Sequence, residues 1–238
     1  MFSHPFDYNI ANTDYIYEHE KNEVHGAIRW SSSVADQVPK SLIFLVIDDA
    51  IGQFNKTPFP VGVTLYLEVD FTENVKRTDN FSVRVGVIKK RQSSKGKTMT
   101  TCAIICENDT RIIAKGKALF ILDKIAPKIS LAPSGNNISQ IIRTKKIKKT
   151  DHLIYNDMYC KTPNNTIMFY DGQGPPECVH GGVLAIGIMS FLGQEIKMLH
   201  VDYRSVTPLR KELQLSRDIN TFFLKDDDEK VYCSGTFE

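Results

Sequence analysis

The chain has 238 residues, enough for one large domain or for two of about 100–120 residues each. With 42% hydrophobic and 24% charged residues the composition excludes wholesale disorder. Thirty Lys and Arg against 28 Asp and Glu leave a net charge of +2, so no whole-molecule field draws nucleic acid or an anionic membrane. No apolar run approaches the ~20 residues of a membrane-spanning helix, and the N-terminal MFSHPFDYNI lacks the basic-then-apolar order of a secretory signal. Five cysteines (Cys102, Cys106, Cys160, Cys178, Cys233) are an odd number without framework spacing, which predicts a reducing compartment and a cytoplasmic location.

In chain order, EVHGAIRW carries His25-Gly26 and runs into serines with no helical pattern, so it reads as a strand. PKSLIFLVIDDAIGQFN (39–55) is the first helix, with Pro39 suited to a first turn and Gly52 near its end. TLYLEVDF (64–71) is β-rich, and FSVRVGVI (81–88) alternates as a half-buried strand does. The polar loop KKRQSSKGK then leads to the strands TMTTCAIIC (98–106) and RIIAKGKALFIL (111–122). DKIAPKISLAPSGNNIS (123–139) combines Pro, Gly, Ser and Asn as a linker does, and TKKIKKT (144–150) is a basic, solvated segment. GGVLAIGIMSFLGQEIK (181–197) is the second helix, followed by strands in MLHVDYRSVTPL (198–209) and CSGTFE (233–238). Both helices are apolar almost all round, so sheet should wrap them on most sides. The predicted class is α+β, with an N-terminal domain over 1–122, a linker over 123–139 and a C-terminal domain over 140–238.

The two halves superimpose in pattern. Each has an apolar helix, then strands, then a closing strand with a central glycine, so that Gly52 aligns with Gly193 and Gly116 with Gly235. This is an internal duplication with a period too long for a solenoid.

Val179-His180-Gly181-Gly182 opens the second helix. Glycines there leave first-turn N–H groups without internal partners, and the helix dipole adds partial positive charge. An ester or thioester carbonyl placed at that point would gain hydrogen bonds as its oxygen becomes negative. Equally, the glycines would allow close packing of helix on strand.

The His-Gly-Gly turn, followed at fixed spacing by an acid position and a glycine, resembles the hotdog-fold thioesterases of the phenylacetate-pathway and acyl-CoA thioesterase type. The resemblance implies a long apolar helix in an antiparallel sheet, two such units side by side, and sites at their interface. It implies that Gly181 donates its N–H to the thioester carbonyl, aided by Gly182, while His180 positions the loop. The family's acid lies nine residues after the histidine and acts across the interface; here that place is Met189. In the first half IDDAIG puts Asp48 in the acid place, but Pro39-Lys40-Ser41 replaces His-Gly-Gly. Each half has kept one part of a site and lost the other, as in a fused double hotdog with one composite site. Asp48 is the implied base or nucleophile, with Asp49 as its neighbour and rival, and Thr64 holds the water or the carboxylate. A carboxylate on an apolar helix needs a partner to offset desolvation, which favours a functional role.

The activity so implied is hydrolysis of an acyl-CoA or related thioester, with no cofactor beyond the CoA of the substrate. The fused halves form a pseudo-dimer, with no nucleic-acid partner and no membrane span. Lys145, Lys146, Lys148 and Lys149 are available to CoA phosphates. The alternative is a silent hotdog that binds an acyl thioester or a protein. Cys178 with His180 is a weaker thiol–base pair, lacking an orienting third group. Metal-ligand spacing, a G-x-S-x-G elbow, a Walker loop and G-x-G-x-x-G are all missing.

Overall fold

The structure, a computed structural model, describes residues 11–18, 20–55, 62–122, 159–161, 166–169, 179–193 and 196–238. The predicted linker, the basic cluster and Cys178 lie outside the described residues. In chain order the first half comprises β1 (Ala11–Glu18), β2 (Glu23–Trp30), α1 (Lys40–Gly52), β3 (Gly62–Phe71), β4 (Phe81–Gln92), β5 (Thr98–Glu107) and β6 (Ile112–Leu122). The second comprises β7 (Tyr159–Lys161), β8 (Thr166–Phe169), α2 (Gly181–Leu192), β9 (Met198–Tyr203), β10 (Glu212–Asp218), β11 (Thr221–Lys225) and β12 (Val231–Phe237). The strands form one sheet in the order β1-β2-β4-β5-β6-β3-β9-β12-β11-β10-β8-β7. Read inward from either end, that order is the same pattern twice.

The seam is the antiparallel pair β3–β9, in which Glu68 faces His200 across the two strands. Joining the halves there covers an edge that each would otherwise expose. Both helices lie against the sheet and against each other. Every residue of α1 from Leu42 to Ile51 is buried, including two aspartates, so this helix has no solvent face. The two sheets, each wrapping its apolar helix, join edge to edge into a single twelve-stranded sheet.

Gly116 and Gly235 occupy matching places beside the seam. A methyl group on Gly116 would lie 2.3 Å from the Glu68 carbonyl oxygen, and one on Gly235 would lie 1.8 Å from that of His200. Glycine permits the close approach of β6 to β3 and of β12 to β9.

Three boundaries differ from the sequence reading. The β4 strand runs on through Lys89, Lys90, Arg91 and Gln92, half of the predicted loop, because these residues pair with Thr98–Thr101 of β5. Cross-strand pairing there outweighs the polarity of the segment. The α2 helix stops at Leu192, short of the predicted 197, because Gly193 takes φ 109 and ends the turn. Pro39 caps α1 from outside in extended conformation, φ −59 and ψ 137, and its carbonyl accepts from Leu42 N–H.

Each helix entry is tied to the loop after the seam strand of its own half. Val38 N–H donates to the Val75 carbonyl at 2.8 Å, and Val179 N–H to that of Thr207 at 2.9 Å. The second of these loops is held by a buried acid in the β11–β12 turn. Asp226 accepts from Lys211 Nζ at 2.5 Å, from the Tyr232 hydroxyl at 2.8 Å and from the Lys230 N–H at 3.0 Å. The lysine first, then the tyrosine, hold this carboxyl well below the usual carboxylate range. Because the folded value is the depressed one, the stabilisation is complete at neutral pH and is lost as pH falls below about 4. Asp226→Asn is expected to lower Tm at pH 7 and to flatten the acid limb of a Tm–pH profile. An unchanged acid limb would show that the cluster contributes nothing.

Candidate active site

The α2 helix begins where His180 adopts extended backbone, φ −65 and ψ 142, and turns its ring back onto the first turn. His180 Nδ1 accepts from the Gly182 N–H at 3.1 Å, while the Leu184 N–H reaches the His180 carbonyl at 3.0 Å. Nδ1 is thereby turned toward the first turn of the helix. It also uses the Gly182 N–H, which was expected to serve as a second donor to substrate. Gly182 instead permits close helix packing, since a methyl group there would lie 2.5 Å from Leu45 Cδ1. Among the described residues the Gly181 N–H has no hydrogen-bond acceptor.

Asp48 arrives from α1, in the other half of the chain, and is only 4% exposed. Thr64 Oγ1 donates to Asp48 Oδ1 at 2.9 Å, and His180 Nδ1 lies 3.4 Å from Oδ2. A methyl group built on Gly181 would stand 2.9 Å from the same Oδ2. The carboxylate of the first half is therefore in contact distance of the helix start of the second. Thr64 sits at a bulge, where β3 shifts register against β6 between Thr64 and Tyr66. Such an irregularity re-aims a side chain away from the regular pleat. Asp49 is also buried, at 5% exposure, but the hydroxyl of Thr64 and the ring of His180 meet Asp48.

Tyr203, on β9, was not singled out by sequence. Its hydroxyl donates to the Gly181 carbonyl at 3.2 Å. Burial, and then the negative charge of Asp48, push the phenol well above its ordinary value, so it stays a neutral donor. Nothing in the local pattern MLHVDY marks this residue. Only the crossing of β9 beneath the α2 entry places it here.

One other sequence feature, and one cleft, fall elsewhere. His25 lies on β2, where its ring is near Glu18 and Glu23, so the repeated His-Gly is a strand dipeptide. An open cleft of about 980 Å³ is lined by Asp36, Glu73, Lys76, Arg77, Asp109 and Arg111 and includes none of Asp48, Thr64, His180 or Gly181. Its arginines pair internally, Arg77 with Asp36 at 2.8 Å and Arg111 with Glu73 at 3.2 Å.

No helix among the described residues is long and apolar enough to cross a membrane. No family model and no curated sequence matches this chain. Solved structures do. An acyl-ACP thioesterase from Bacteroides thetaiotaomicron is 14% identical, with a TM-score of 0.57 over 98% of this chain and 99% of that one. The tesB protein of Mycobacterium avium subspecies paratuberculosis is 10% identical, with a TM-score of 0.55 over 95% and 96%. HtdX of Mycobacterium tuberculosis is 13% identical, with a TM-score of 0.53 over 86% and 89%. These likenesses extend across both halves and their shared sheet, and the resemblance carried by the His-Gly-Gly turn leads to the same architecture: the chain has a double-hotdog fold.

Proposed function

We propose that this protein hydrolyses an acyl thioester at one composite site between its halves. The observation that carries the reading is the meeting of Asp48 from α1 with the N-terminus of α2, with Thr64 fixing one carboxylate oxygen at 2.9 Å. The thioester oxygen would lie at the Gly181 N–H, where the helix dipole and a donor without an acceptor among the described residues stabilise charge as it develops. Asp48 would take a proton from water, and the water oxygen would bond to the acyl carbon. Collapse of the resulting adduct breaks the carbon–sulfur bond, and the thiolate leaves with the proton. His180 holds the donor turn through the Gly182 N–H, a positioning role that matches its accepting nitrogen.

The substrate carrier in this reading is CoA, as the resemblance implies. An acyl-carrier thioester is the comparison case, because one of the similar structures is an acyl-ACP thioesterase. We place the protein in a reducing cytoplasm. Cys102, Cys106 and Cys233 are buried free thiols, and burial pushes Cys102 up to about 12, so none is poised to react. The test is thiol release from a panel of acyl-CoAs of rising chain length, with the matching acyl-carrier thioesters beside them. Release with one carrier supports the reading. Saturable binding with no thiol released overturns it in favour of a silent binder.

A further inference from the structure

The strand order makes every residue near the composite site one of a pair. Aligned on their end glycines, the helices match Lys40 with Gly181 and Met189 with Asp48. Through the Glu68–His200 seam, the strands match Phe71 with Tyr203 and Ile196 with Thr64. The contacts of Lys40 fall on this mirrored set. Its Nζ donates to the Ile196 carbonyl at 2.8 Å and stands 5.8 Å from the centre of the Phe71 ring. Where the missing side chain of Gly181 lets Asp48 and Tyr203 pack against the helix start, 2.9 and 3.1 Å from where a methyl group would stand, Lys40 carries a four-carbon chain and an ammonium from the equivalent place.

Helix stability does not account for this lysine. It is the first residue of α1, and the first turn holds no acid. A cation there opposes the helix dipole. The carbonyl of Ile196 and the face of Phe71 offset that penalty, and both belong to the mirrored set of residues.

We infer that Lys40 is a built-in plug that closes a second pocket, and that removing its side chain opens a second, non-catalytic site for an acyl thioester. The identity of the ligand rests on the function proposed above; the closure rests on the contacts of Lys40 alone. Met189 is 6% exposed and stands where Asp48 stands in the composite site, so a thiol at that position reports on access. Met189→Cys is made with Lys40 intact, with Lys40→Gly and, should the glycine variant fold poorly, with Lys40→Ala. Iodoacetamide labelling of residue 189 is followed by mass spectrometry. Labelling is expected to be slow with Lys40 and faster by roughly an order of magnitude without it, since an exposed thiol reacts and a buried one does not. Equal rates overturn the plug.

Calorimetry with 2-oxotetradecyl-CoA, which cannot be hydrolysed, gives the second readout. The expected stoichiometry is one per chain for the parent and two for Lys40→Gly. One per chain in both overturns the second site. Binding by neither, together with a labelling difference, leaves the plug standing and rejects the acyl-thioester reading instead.

Discussion

Asp48→Asn is expected to lower kcat for thioester hydrolysis by about 100- to 10,000-fold, the range supplied by a positioned acid or base. Asparagine keeps the shape of the side chain and a carbonyl oxygen for the Thr64 hydroxyl, so the 2.9 Å contact survives and the buried site stays filled. What goes is the capacity to accept a proton. Far-UV circular dichroism and Tm should therefore match the parent, and the loss should fall on kcat more than on KM. Thr64→Val, which removes only the hydrogen bond to Oδ1, should cost less, about 10-fold, the value of one bond to a charged group. Full activity in a folded Asp48→Asn protein would remove Asp48 from the chemistry. Full activity in Asp48→Asn with loss in the matching Asp49 variant would move the role one residue along α1.

The largest expected effect on stability is that of Gly235→Ala. The added carbon would stand 1.8 Å from the His200 carbonyl oxygen and 2.7 Å from the Phe222 ring. A flexible side chain could move away, but a carbonyl in the β9 ladder can do so only by breaking the pairing of β9 with β12 at Val201–Gly235. We expect a loss of about 3 kcal/mol, the upper part of the usual cost of overpacking, read as a lower midpoint in urea or as insoluble protein. Gly116→Ala meets the Glu68 carbonyl in the matching place and should behave alike. By contrast, Gly52→Ala meets nothing within 4 Å and serves as the neutral control. If Gly235→Ala folds with parental stability, the close approach of β12 to β9 does not depend on glycine.

These residues show how far the sequence could be read. The match of Gly116 with Gly235 was visible as pattern, because both sit in closing strands of similar composition. Its reason, a carbonyl of the neighbouring strand packed against each glycine, was not. The acid and the His-Gly-Gly turn were legible because their spacings along a helix are local quantities. Tyr203 and Lys40 were not, since a tyrosine in a strand and a lysine in a first turn are ordinary by themselves. Their contacts cross 22 and 156 residues of chain, respectively. The run from Lys89 to Gln92 looked like a loop because polarity dominated its local pattern, whereas its partner strand made it β4.

By itself the sequence determined the class of the elements, the two apolar helices and the division of one motif between two halves. The first two follow from periodicity and side-chain chemistry, which act over a few residues, and the third from the resemblance to the hotdog-fold thioesterases. Only the tertiary structure decided that β3 joins β9, that Asp48 stands against Gly181 with Thr64 and Tyr203 beside them, and that the mirrored place holds Lys40. Edge pairing and register are chosen by contacts between distant segments, so no local pattern encodes them.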